Sequence, residues 1–272
     1  MIKQKIIMPL IILLVAFIAI FMYLNFSRGR VINQPESITF DSTGKRFLIS
    51  NIKGKSIATM TLDGKYGILL KDGLTSPRGI MAKDNYLYVA DATQLKIIDI
   101  PTAKISKSII IPDARMLNDL ALDKTGLVYI TDTAANCVFV VDTIANTTEK
   151  IQSSLLKAPN GIVYDMPRDQ MLIVGFSKRS PILSLNTLGR NVSIFMDTIY
   201  SDLDGIAIDD LGRIYISSWA QDMIFMIPQE QNRFVAKFKD IKDAADIFYY
   251  LPTNELIVPL VSKSKIIRIP LE

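Results

Sequence analysis

The 272-residue chain contains no histidine and a single cysteine. The first absence removes Ser-His-Asp and Cys-His nucleophile systems, imidazole general bases and histidine metal sites. The second removes any intrachain disulfide. Cys137 stands before the apolar run Val138–Val141, where a small thiol reads as core packing. An excess of charge is also missing. Outside Lys3 and Lys5, 29 basic residues face 27 acidic ones. That balance lacks the clustered basic patch of a nucleic-acid binder. Helical periodicity is nearly absent after residue 30.

One long uncharged run is present. Residues 6–24, IIMPLIILLVAFIAIFMYL, number 19; at about 1.5 Å per residue they match a bilayer core of ~30 Å. The following FMYLNFSRGR offers no small-x-small cleavage site, and no lipoprotein cysteine follows the run. An uncleaved signal anchor fits best. Residues 1–30 are therefore read as anchor and linker, and residues 31–272 as the folded domain. Lys3 and Lys5 on one side and Arg28 and Arg30 on the other nearly cancel in the positive-inside count. The free amine tips the N-terminus to the cytoplasm, so the domain is expected in the periplasm or outside the cell.

The rest of the chain is repetitive. Six stretches share a short turn, an alternating apolar run, a polar turn and a β-branched strand: 35–50, 77–91, 117–132, 159–175, 203–218 and 245–260. Aligned on their second residues (36, 78, 118, 160, 204 and 246), they are spaced by 42, 40, 42, 44 and 42. A period near 40–45 with about four short strands is the mark of propeller blades. The fold class is therefore all-β, a six-bladed β-propeller behind one N-terminal transmembrane helix. The sixth repeat runs out after three strands, and residues 27–33 are expected to supply its outer strand. Asp91, Asp132 and Ser218 end second strands and read as turn residues on the face opposite the aligned column.

That column reads Glu36, Arg78, Asn118, Asn160, Asp204 and Asp246, six polar residues converging on a narrow channel. Gly79, Gly161 and Gly205 follow three of them, and glycine allows close backbone approach, here to a ligand or in a sharp turn. Two readings stand. The polar residues cap strand starts, with Arg78 paired to a carboxylate. Or Glu36, Asn118, Asn160 and Asp204 hold a divalent cation, since two carboxylates and two amide oxygens suit calcium or magnesium better than zinc.

These positions resemble the senescence-marker-protein/gluconolactonase family of six-bladed propellers and, more distantly, paraoxonases. The resemblance rests on Glu36 in the first repeat, Asn118-Asp119 in the third, Pro159-Asn160-Gly161 in the fourth and Asp204-Gly205 in the fifth. It implies a metal-dependent hydrolase of lactones or related esters. Calcium is the first choice of cofactor, with zinc or magnesium as alternatives. Glu36, Asn160 and Asp204 would be direct ligands, and Asn118 would serve the metal or the substrate. Asp204 or a metal-bound water would deliver the nucleophile. Arg78 and Asp246 are assigned with Asn118 to the substrate. Three departures stand out. Ser37-Ile38 replaces the Gly-Pro expected after the first glutamate, Arg115 lies three residues before Asn118 rather than two, and the paraoxonase histidine dyad is missing. The second repeat, Pro77-Arg78-Gly79-Ile80 with Tyr88-Val89-Ala90-Asp91, also resembles NHL repeats. That supports an alternative: a non-catalytic propeller at the membrane that binds a protein partner.

Overall fold

The computed structural model describes residues 31–230 and 232–272. They form six antiparallel sheets, each built from one repeat. Strands run in sequence order within each sheet, so neighbouring strands are joined without crossovers. The innermost strands are Pro35–Asp41, Pro77–Lys83, Leu117–Leu122, Pro159–Asp165, Leu203–Ile208 and Phe248–Tyr250. Blades 1–5 have four strands and blade 6 has three, Phe248–Tyr250, Glu255–Leu260 and Lys265–Pro270. The all-β six-bladed propeller expected from the repeat is what the chain forms.

The hydrophobic core is divided into six clusters, one on each seam between blades. This follows from alternation: each sheet buries both faces, one against each neighbour. Cys137 lies in the seam between blades 2 and 3, and burial pushes its thiol up to about 11. The ring closes through Ile32, Ile38, Phe47 and Ile49 packed against Tyr250, Ile257 and Ile266. Gln34 N–H donates to Ser264 Oγ at 3.2 Å, and Asp246 N–H to the Glu36 carbonyl at 3.1 Å.

In its described part, residues 31–33, the expected closing strand does not form. Residues 31–34 are bends that pack at the seam between blades 1 and 6, held by Asn51, whose side chain bonds Val31 and Asn33. Residues 27–30 lie outside the described residues, as does the 6–24 segment. Among the described residues, no helix is long and apolar enough to cross a membrane.

Candidate metal and substrate site

Each innermost strand carries a bulge, and the bulge aims the site. In blade 1, Pro35 pairs with Asn51, but the next pairing is Ile38 with Ile49. Two residues therefore stand opposite one, which bends the strand and re-aims its side chains. Blades 2–5 repeat this between Pro77 and Ile80, Leu117 and Leu120, Pro159 and Ile162, and Leu203 and Ile206. Glu36, Arg78, Asn118, Asn160 and Asp204 occupy the bulges, and all five line one small cavity of about 200 Å³ at the channel mouth.

Blade 6 corrects the alignment. Ala244 bridges Leu260 and Phe248 pairs with Ile257, the same one-residue excess. The sixth ring position is thus Ala245, which lines the cavity. Asp246 falls one residue further, in the next layer beside Ser37, and faces the inner channel instead. A slip of one residue exchanges the faces of a strand, so Asp246 is not a member of the ring.

The layer beneath the ring ties the blades together. Ser37 Oγ donates to Asp246 Oδ2 at 2.6 Å and accepts from Ile80 N–H. Asp119 Oδ2 accepts from Ile162 N–H at 2.8 Å. Ser37, where the family resemblance expects glycine, therefore joins blades 1, 2 and 6. The glycines serve the same purpose. A Cβ on Gly79 would lie 2.4 Å from Asp119 Cα, one on Gly161 2.3 Å from the Asp204 carbonyl, and one on Gly205 2.6 Å from the Ala245 carbonyl. They admit the neighbouring strand rather than a ligand. Asp91, Asp132 and Ser218 also sit on the ring's own face, not the opposite one, because they pair with or flank the strand starts. Asp132 accepts from the backbone of Arg115, Met116 and Ala135, and Arg115 does not line the ring cavity.

Electrostatically the ring is unfinished. Glu36, Asn118, Asn160 and Asp204 are buried, as is Asp119 below them; Asp246 is half-buried. Among the described residues the one basic side chain at the ring is Arg78, 24% exposed and 3.8 Å from Glu36 Oε1. That distance is a loose ion pair, so the capping reading explains only one carboxylate oxygen. Burial pushes Asp204 and Asp119 up to about 7 and raises Glu36 and Asp246 well above the usual carboxylate range. Among the described residues three buried side-chain oxygens have no hydrogen-bond partner: Glu36 Oε2, Asn118 Oδ1 and Asp204 Oδ1. An orphaned buried acceptor costs about 1–3 kcal/mol, and three around one cavity fit a hard cation. Among the described residues no three carboxylate, histidine or cysteine groups cluster at metal spacing. The donor set here is two carboxylates completed by amides.

A family model described as "SMP-30/Gluconolactonase/LRE-like region" matches residues 34–238. The chain belongs to that family. Among solved structures, a gluconolactonase from Xanthomonas campestris superposes with a TM-score of 0.75 at 13% identity, over 88% of this chain and 86% of that one. A streptogramin B lyase gives 0.68 at 14%, over 91% and 96%. A catalytically inactive virginiamycin B lyase from Staphylococcus aureus, in complex with quinupristin, gives 0.67 at 14%, over 89% and 97%. At these identities the solved structures show a shared fold. No curated protein matches.

The residues missed in the sequence form the cavity rim: Ile52, Thr133, Phe176, Trp219 and Val261, with Met116. All but Met116 stand one position after a second strand. The same repeat alignment contains them as a column, 52, 92, 133, 176, 219 and 261.

Proposed function

We propose that this protein is a divalent-cation-dependent hydrolase of lactones or related esters, working at the ring with calcium as the cation. The observation that carries the reading is the trio of orphaned oxygens on Glu36, Asn118 and Asp204. Asn160, buried in the same cavity, supplies a fourth donor. Family membership supports the reaction class, and one solved structure of the same fold is named a gluconolactonase.

A cation held by these four residues would polarise the substrate carbonyl and steady the developing oxyanion. Asp204 takes the proton from the attacking water, since its carboxylate faces the same cavity. Arg78, partly exposed and loosely paired, turns to a substrate oxygen. Asp246, displaced from the ring, positions Ser37 rather than touching substrate. The lyase relative named above is inactivated by replacing one histidine with alanine; this chain has no histidine, so that chemistry is closed to it. Residues 6–24 would tether the enzyme to a membrane with the propeller on the extracytoplasmic side.

The test is hydrolysis of a lactone panel by the purified full chain with calcium and with chelator. Activity should require the cation, and Asp204→Asn should lower kcat/KM by on the order of 100-fold or more. Undiminished turnover in chelator, or in Asp204→Asn, would overturn the reading. Absence of turnover with calcium bound would favour the partner-binding alternative.

A further inference from the structure

We infer that the substrate is a lactone bearing an apolar substituent, alkyl or aryl, and not a polyhydroxylated sugar lactone; this rests on the hydrolase reading. The reason is the hydrogen-bonding state of the cavity wall. A sugar lactone brings several hydroxyls that need partners once buried, and the rim has spent its own.

The backbone donors are used first. Five rim N–H groups bond the carbonyl of a residue that precedes an innermost strand, Ile52 to Gln34, Thr133 to Met116, Phe176 to Ala158, Trp219 to Asp202 and Val261 to Asp243, and Met116 N–H bonds the Asp132 carboxylate. The side chains are no freer. Thr133 Oγ1 donates to the Pro159 carbonyl at 2.8 Å and accepts from Asn118 Nδ2 at 2.9 Å. That second bond also consumes one Asn118 donor. Trp219 Nε1 donates to the Ala244 carbonyl at 2.8 Å. The indole thus shows the cavity only carbon. Beyond the four cation-facing residues, Arg78 is the one polar group left.

What remains is apolar and only half-buried: Ile52, Met116, Phe176, Trp219 and Val261. Phe176 and Trp219 stand edge to face, centroids 5.6 Å apart at 82°, a fixed aromatic wall. They come from blades 4 and 5, while Arg78 and Thr133 come from blades 2 and 3. Arg78 on blade 2 thus stands across the mouth from the aromatic wall, and Ile52, Met116 and Val261 complete an apolar rim above the polar ring. A lactone whose carbonyl faces the ring can direct its exocyclic oxygen to Arg78 and its substituent along Phe176 and Trp219. The cavity of about 200 Å³ is smaller than the roughly 300–1,000 Å³ of drug-sized pockets. It suits one small ring with its substituent lying outward over the wall.

The experiment compares δ-lactones of increasing alkyl length with glucono-δ-lactone, using the full chain with calcium. In kcat/KM each added methylene should gain about threefold to fourfold, equivalent to about 0.8 kcal/mol. Glucono-δ-lactone should fall on the order of 100-fold below, because its hydroxyls go unpaired. Phe176→Asn should flatten the length series through KM more than through kcat. Because Trp219 is the sole tryptophan, its fluorescence reports binding without turnover. Alkyl δ-lactams should perturb it with affinity rising with length, and gluconolactam should not. A flat series, or a sugar lactone or lactam handled as well as the alkyl compounds, overturns the inference. Lactam binding with the expected length dependence but no hydrolysis would sustain the ligand class and overturn the hydrolase reading.

Discussion

The buried carboxyls make the fold's stability depend on pH in an unusual direction, and calcium should reverse it. Asp119 and Asp204 are raised from 3.8 to about 7 by burial, and Glu36 and Asp246 are raised well above the usual carboxylate range. Without a cation the folded protein keeps these protons while the unfolded chain releases them near pH 4. Folding then takes up protons between about pH 4 and 7, so stability falls as pH rises and levels off above. One pKa unit is worth about 1.4 kcal/mol, and the group titrates jointly, so several kcal/mol are at stake. At roughly 2–4 °C per kcal/mol for a domain of this size, Tm in chelator should drop by at least about 5 °C from pH 5 to pH 8. The lack of histidine makes the assay clean, since no other side chain of ordinary pKa titrates there. Calcium at 100 times its Kd adds about 2.7 kcal/mol, or about 5–10 °C at pH 8. It should do much less at pH 5, where protons must first be displaced. Differential scanning calorimetry of the full chain in mild detergent reads both effects. A Tm that is flat or rising in chelator refutes the buried-proton account. A calcium shift that is absent, or equal at the two pH values, refutes the ring as the cation site.

Three substitutions probe the framework. Gly161→Ala places a Cβ 2.3 Å from the Asp204 carbonyl, so it should cost about 3 kcal/mol and weaken calcium binding in titration calorimetry. Gly64→Ala, strained by φ +85 but with nothing within 4 Å, should cost about 1 kcal/mol and leave calcium affinity unchanged. Thr131→Val removes a hydroxyl that accepts from Asp119 N–H and donates to the Asn160 carbonyl at 2.6 Å. It should destabilise by about 1–3 kcal/mol in denaturant unfolding and lower calcium affinity.

Blade number and blade boundaries were legible because strand alternation and turn chemistry repeat near every 42 residues. The ring was legible in five blades because its members are polar residues at the start of apolar strands. It slipped in the sixth because Asp246 is polar and Ala245 is not, so residue type outvoted register. The following position corrects it: Ile38, Ile80, Leu120, Ile162, Ile206 and Ile247 form an apolar column that fixes the register by burial. The bulges were not legible, since a missing ladder bond has no residue signature of its own. The glycines were misread for a related reason. Their need for space was plain, but the neighbour filling it is another blade, which only the closed ring brings near. The aromatic rim went unseen because its column mixes isoleucine, alanine, threonine, phenylalanine, tryptophan and valine, and shares a position rather than a chemistry.

The ring's asymmetry follows a rule of alternate blades. Opposite the bulge, blades 1, 3 and 5 carry Ser50, Thr131 and Ser217, while blades 2, 4 and 6 carry Ala90, Val174 and Pro259. Each hydroxyl accepts the N–H that the bulge releases from the ladder, from Ser37, Asp119 and Gly205 at 2.7–3.0 Å. In blades 3 and 5 the hydroxyl also donates to the next blade's ring carbonyl, at Asn160 and Ala245. The three orphaned oxygens belong to these same blades, on Glu36, Asn118 and Asp204. A buried donor-starved oxygen raises the energy of whatever conformation holds it, so the strand beneath must be pinned if the oxygen is not to turn away. The hydroxyls pin it. Blade 6 needs none, because the corresponding N–H, that of Asp246, donates to the Glu36 carbonyl at 3.1 Å, and its ring position is an alanine that holds nothing. Donor oxygens and their supports are thus distributed together around the channel. That is the pattern expected where the ring is preorganised for a ligand, and it is more than capping of strand ends requires.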